Sequence, residues 1–203
     1  MNGAELITAF ELYIDDSSEL SESEELNLCN KVYHKILDDR HWEFLKKEDT
    51  GAIAGTTIAL PADFKCLTEN DLTTNNSIEI NNNARPIGVY IDDMFYQTIN
   101  WSDRKKISDN QCYIDLQANT IVFPNSMSGT YSFDYIYTPD DLTTATSPVF
   151  PARYHAMIAH GMTAEGFAYQ LFDKNRSYAG DNMAMYQSYL DDLAMYNSEF
   201  YNG

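Results

Sequence analysis

Two copies of the tetrapeptide Tyr-Ile-Asp-Asp, at Tyr13–Asp16 and Tyr90–Asp93, are the residues most suggestive of chemistry. Adjacent carboxylates can hold magnesium for phosphoryl transfer. That chemistry needs the pair at a strand turn, a further carboxylate beside it, and basic groups for a polyanionic substrate. The first copy ends a predicted helix. The second stands at a strand end without those companions, and 203 residues are too few for a complete polymerase. A metal-dependent phosphoryl-transfer enzyme using these carboxylates is therefore the alternative reading, behind a structural role.

Other chemistry-bearing residues are worse placed. His155 and His160 are five apart, whereas a zinc pair on one helix face needs a spacing near four and an accompanying Glu. His34 and His41 share a face but have no evident third ligand. Asp173, Asn175 and Ser177 begin like a calcium loop, yet the Gly falls at 180 and Ala184 stands where a bidentate Glu belongs. Cys29, Cys66 and Cys112 are scattered and odd in number, which argues against a disulfide framework and for a reducing compartment. No catalytic, metal-binding or cofactor-binding residue is assigned, and no cofactor is expected.

The elements that would carry these residues follow a helix–strand–helix order. Residues 1–49 read as helical. Leu6, Phe10 and Tyr13 mark a short leading helix, and Ser21 with Glu24 forms a capping box. Leu26, Cys29, Tyr33 and Ile36, widened by Val32 and Leu37, give the next helix one buried face. Residues 50–147 read as β-rich. Tyr131, Phe133, Tyr135 and Tyr137 alternate with Ser132, Asp134, Ile136 and Thr138, which predicts a strand. Strands at Cys112–Leu116 and Thr120–Phe123, joined by a turn at Gln117–Asn119, and a loop at Pro124–Gly129 complete a three-stranded meander. Shorter strands are expected at Thr57–Leu60, Phe64–Leu67 and Ser77–Ile80, and a short helix at Asp92–Ile99.

Residues 148–203 return to helix. Phe150, Tyr154, Met157, Gly161, Ala164, Ala168 and Leu171 form a four-three row whose small members let a neighbouring helix approach. After a break at Asp173–Gly180, Met183, Tyr186, Leu190, Leu193 and Phe200 mark a final helix. The expected fold is α+β: a helical core from both ends of the chain, with a β-rich insertion between them.

Charge narrows the partners. With 31 acidic and 13 basic residues the formal net charge is −18, so the chain is a poor candidate for gripping nucleic-acid phosphates. A negative wall can still surround a duplex without holding it, while plain solubility is the simpler use of such charge. An acidic inhibitor or binding module for a basic protein is the third reading. No basic segment precedes an apolar run at the N-terminus, so no signal peptide is expected. No stretch nears the roughly 18 apolar residues of a membrane span. The chain is read as soluble and made in the cytoplasm.

Four segments, taken in order, resemble the head–tail adaptor (connector) proteins of tailed bacteriophages. These are Leu12–Asp16 with the capped helix and Trp42–Leu45, then Leu60-Pro61-Ala62-Asp63-Phe64. The third runs from Tyr113 through Thr120–Pro124 and Gly129–Tyr131 to Tyr135–Pro139 and Asp141–Thr143; the fourth is Phe150–His155. The stretch between Phe64 and Tyr113 departs from the pattern. The resemblance implies a dodecameric homo-oligomeric ring beneath the portal protein of the virion, carrying genomic DNA without specific binding and offering a platform to the next tail or ring protein. It also implies portal docking through the C-terminal part, where Tyr196, Phe200 and Tyr201 are the candidates. Residues 1–30 contain no Lys or Arg, and their acids Glu5, Glu11, Asp15 and Asp16 are candidates to face the channel.

Overall fold

A computed structural model describes residues 1–14, 20–68, 87–168 and 177–201, except for the side chains of residues 167–168, 177–178 and 200–201. The chain forms two compact units, one of Met1–Phe44 with Pro139–Gly203 and one of Leu45–Thr138. Helices at both ends flank a β-rich centre, the expected α+β arrangement.

The first unit contains α1 (Gly3–Ile14), α2 (Glu22–Asp38), a 3-10 turn at Ala152–Tyr154, α3 (Ala156–Ala168) and α4 (Ser177–Tyr201). Leu6, Ile7, Phe10 and Ile14 form the buried side of α1. The predicted capping box opens α2: the Glu24 carboxylate accepts the Ser21 N–H at 2.8 Å and the Ser21 hydroxyl at 2.6 Å. Cys29, Val32, Tyr33, Ile36 and Leu37 are buried as expected, but Leu28 takes the place assigned to Leu26, which is half-buried.

One apolar row does not describe α3. Ile158, Ala159, Met162 and Thr163 are buried together with Met157 and Ala164, because α3 packs against α1, α2 and α4 at once. Gly161 permits the closest approach: a methyl there would stand 2.5 Å from Val32 Cγ1 and 3.0 Å from the Tyr186 ring. In α4, Leu190 and Leu193 are buried and Tyr186 half-buried, but Met183 is exposed, a correction to the predicted stripe. The returning chain is held by Asn30, whose amide oxygen accepts the Leu142 N–H at 2.7 Å and whose amide N–H donates to the Leu142 carbonyl at 3.0 Å.

The second unit is one sheet built around a long strand. Its members are β1 (Lys46–Ala59), β2 (Phe64–Leu67), β3 (Gly88–Ile91), β4 (Met94–Ile99), β5 (Gln111–Asp115) and β6 (Thr120–Tyr137). β6 pairs antiparallel with β1, β2, β3 and β5, and the path β6–β3–β4–β5 returns to β6. Such closure leaves fewer open edges for stray pairing. The predicted meander is thus corrected: 120–123 and 131–137 belong to one strand. The register jumps from Gly55–Met127 to Thr57–Val122, so β6 carries extra residues there, and Pro124 sits in the bulge instead of a loop.

The predicted helix at Asp92–Ile99 is also corrected. Met94–Ile99 is strand β4, and Asp92 and Asp93 form the two-residue turn joining it to β3. Their φ values of 45° and 69° are what a type I′ hairpin turn requires. The strand predicted from 131–137 is present, and its aromatic row faces the core, with Phe133 and Tyr135 buried among Ile53, Val89, Ile121 and Phe123. The expected strand Ser77–Ile80 lies outside the described residues.

Candidate functional site

The Asp pairs come first, since they pointed to catalysis. Asp92 does not project into a cleft. Its Oδ1 accepts the Thr130 N–H at 2.8 Å, and its own N–H donates to the Thr130 carbonyl at 3.0 Å. The second Tyr-Ile-Asp-Asp copy is therefore a hairpin turn tied to β6. In the first copy Tyr13 and Ile14 end α1, and Asp15 and Asp16 lie outside the described residues. Among the described residues no group of three His, Cys, Asp or Glu has the geometry to hold a metal ion. Of the segment read against a calcium loop, residues 173–176 lie outside the described residues, and 177–184 are the opening turns of α4.

Three of the histidines make structural contacts. His155 is buried; its Nε2 lies 2.8 Å from the Phe150 carbonyl and its Nδ1 2.8 Å from the Met1 amine. Burial lowers its pKa and favours the neutral ring. His160 stacks on Tyr13 at 4.5 Å and on Tyr189 at 5.9 Å between ring centroids. His34 Nε2 meets Asp141 Oδ1 at 2.6 Å. Burial pushes the Cys29 and Cys112 thiols up to about 12, so neither is a ready nucleophile.

Asp63, within the Leu-Pro-x-Asp-Phe segment, has a structural task that its sequence context did not reveal. Burial alone would raise its pKa, but hydrogen bonds from Lys47 at 2.6 Å and the Tyr135 hydroxyl at 3.0 Å hold it below the usual value. It joins β1, the entry to β2, and β6.

Among the described residues two concave surfaces stand out, both in the helical unit. The first, of about 420 Å³, lies between the 3-10 turn and α4. The Arg153 guanidinium sits 4.7 Å from the Tyr154 ring centroid and 4.6 Å from that of Tyr196. Tyr189, Asp192 and the exposed Met195 continue the lining. Spacing along α4 puts Tyr189, Asp192 and Tyr196 on one side of the helix. A cation over two tilted aromatic rings beside exposed Met is an anchor-type surface, since Tyr, Met and Arg are enriched at protein interfaces. Tyr196 was singled out from the sequence; Phe200 and Tyr201 belong to the last turn of α4, but their side chains are outside the described set. Arg153 had one available signal: it is the only Lys or Arg between Lys106 and Lys174.

The second surface, of about 360 Å³, lies between α1 and the start of α2. Glu11, Glu22 and Glu25 line it, with Ile7 and Leu20. Of the acids named from the sequence, Glu11 is here. Glu5 is elsewhere on the exposed N-terminal turn, accepting the Asn2 N–H at 2.9 Å. The parts played by Glu22 and Glu25 were not legible from sequence.

No curated protein matches the chain. The family described as SU10 adaptor protein does, through its family model, over residues 1–201. The match runs across both helical ends and the β-rich centre. The chain therefore belongs to the SU10 adaptor protein family, a family of phage head–tail adaptors.

Proposed function

We propose that the protein works as a ring of identical subunits, twelve by the resemblance, docked on the portal protein at the head–tail junction of the virion. The ring extends the DNA channel and presents its far side to the next tail or ring protein. The observation that carries portal docking is the Arg153–Tyr154–Tyr196 groove, open along α4 near the C-terminal end of the chain. A net charge of −18 supports passage of DNA without gripping it, since a negative lining repels phosphates. Catalysis has no part in this reading. Among the described residues no helix is long and apolar enough to cross a membrane, and no membrane partner is proposed.

The test is to mix the full-length protein with the portal of the same phage and examine the product by electron microscopy. The expected result is added ring density on portal. Portal particles that stay bare at micromolar protein would refute the reading.

A further inference from the structure

The acidic groove between α1 and α2 contains an unbalanced charge. Glu25 is only 4% exposed, yet no hydrogen bond or ion pair engages its carboxylate among the described residues. No side-chain oxygen among them is both fully buried and unbonded, so the Glu25 carboxylate keeps an opening to solvent. The groove that it lines is that opening. Burial, then the charges of Glu11 and Glu22, push its carboxyl up. Three carboxylates over an apolar floor of Ile7 and Leu20 are better satisfied by a cation with an alkyl stem than by water alone. Among the described residues no group has metal-holding geometry, and the apolar floor suits the stem of a protein ammonium or guanidinium.

The chain carries such a group. The 3-10 turn Trp101–Lys106 ends in Arg104-Lys105-Lys106, the only run of three consecutive cations in the sequence. Arg104 is held over Trp101 at 4.0 Å, with Nη1 donating to the Trp101 carbonyl at 2.9 Å. Trp101, Lys105 and Lys106 are exposed, and no carboxylate pairs with either lysine among the described residues. In a chain with net charge −18, this concentrated positive patch complements the cation-free N-terminal segment better than it suits a duplex already repelled by the rest of the surface.

We infer that the Arg104–Lys106 turn of one copy seats in the Glu11–Glu22–Glu25 groove of the next. Two different surfaces meet, so the contact is heterologous, the kind that closes rings when its rotation closes. The inference rests on the ring proposed above and supplies its subunit contact.

The experiment uses full-length chains carrying E11K/E22K or K105E/K106E, with circular dichroism as the check of folding. The milder Glu22→Lys serves if the groove double variant misfolds. Assembly is read by sedimentation velocity, alone and with portal. Each variant by itself should associate at least tenfold more weakly than wild type, because like charges then face each other. An equal mixture of the two should recover assembly, because alternating copies restore opposite charges at every contact. Variants that each assemble like wild type would overturn this contact while leaving the ring intact. Wild-type protein that never self-associates, even on portal, would overturn both. If K105E/K106E lost only retention of duplex DNA, with self-association unchanged, the cations would serve nucleic acid and the inference would fail.

Discussion

Asp92 and Thr130 exchange hydrogen bonds in both directions, the carboxylate taking the Thr130 N–H at 2.8 Å and the Asp92 N–H meeting the Thr130 carbonyl at 3.0 Å. A turn residue thus does for β6 what another strand residue would do. This geometry explains why an Asp pair that resembles a magnesium site stands where it does. The carboxylate is engaged by backbone, and both aspartates occupy left-handed φ values that short polar side chains tolerate.

Asn can replace either residue without losing that geometry: at 92 its amide oxygen still accepts the Thr130 N–H, and at both positions it tolerates the left-handed φ. Asp92→Asn and Asp93→Asn should change stability by less than about 0.5 kcal/mol and leave particle assembly and infectivity intact. Asp92→Ala should cost about 1 kcal/mol for the lost hydrogen bond. Urea denaturation measures the difference. A magnesium-dependent nuclease or polymerase activity abolished by either Asn variant would contradict the structural role.

Gly129 faces the same carboxylate. Its φ of +144° disfavours any L side chain, and an added methyl would collide with the Asp92 carboxylate. Gly129→Ala should destabilise by about 2 kcal/mol, the scale of a strained backbone position. Combining it with Asp92→Ala removes the collision but not the strained φ. The double variant should therefore be more stable than the sum of the single effects predicts, by a coupling of about 0.5 kcal/mol or more.

The same region shows what the sequence could and could not reveal. Tyr131–Tyr137 alternates cleanly, so the strand was legible, as was the capping box at Ser21 and Glu24. Pro124, Asn125 and Gly129 read as a loop because they are local turn formers. Only pairing with β1, distant in sequence, shows Pro124 and Asn125 to be in a bulge and Gly129 to be paired with Ile53 within one strand. β4 failed for the opposite reason: Met94 is exposed, and Phe95 and Tyr96 are both half-buried, so no period of two marks it. Turn residues with positive φ fixed this hairpin. At the candidate sites, Tyr196 stood out as an aromatic near the chain end. The buried Glu25 did not, because nothing local distinguishes it from its acidic neighbours.

Gly161 tests the helical packing. Ala would gain about 1 kcal/mol of helix propensity over Gly in isolation. Against that, the methyl must displace Val32 and Tyr186, and overpacking of this kind costs about 1–3 kcal/mol. The expected net effect of Gly161→Ala is a loss of about 1 kcal/mol, and Gly161→Val should lose more. An Ala variant more stable than wild type in a urea titration would mean that the two neighbours yield freely.

Acid should loosen both units through two carboxylates. Burial alone would raise the pKa of Glu165, but hydrogen bonds from Lys35 and Lys31, then their charges, hold it below its ordinary value. Asp63 is lowered in the same way through Lys47 and Tyr135. A carboxyl with a depressed folded pKa contributes stability above its unfolded pKa, near about 4, and loses it as pH falls through the folded value. Melting temperature should therefore fall as pH is lowered from about 5 to 3. Glu165→Gln and Asp63→Asn should each flatten that fall. A slope unchanged in both variants would exclude these groups as its source.

The C-terminal groove separates docking from folding most cleanly. A cut after Tyr196 is a poor probe, because it removes Asn197, which is buried and whose Oδ1 accepts the Glu43 N–H at 2.9 Å. Point substitutions avoid that loss. Leu190 and Leu193 bury the core side of α4, whereas Arg153 is exposed and Tyr196 half-buried, so removing either leaves the core contacts in place. The stacked cation at such a site contributes about 0.5–1 kcal/mol to stability. An interface anchor, by contrast, commonly costs 2 kcal/mol or more in binding when truncated, which is about thirtyfold in affinity. Arg153→Ala and Tyr196→Ala should therefore keep a cooperative melt within a few degrees of wild type while binding portal at least tenfold more weakly. Surface plasmon resonance on immobilised portal reads the second effect and calorimetry the first. Equal binding by all three proteins would assign this groove to the closing of α4 over Tyr154, with portal held by another surface.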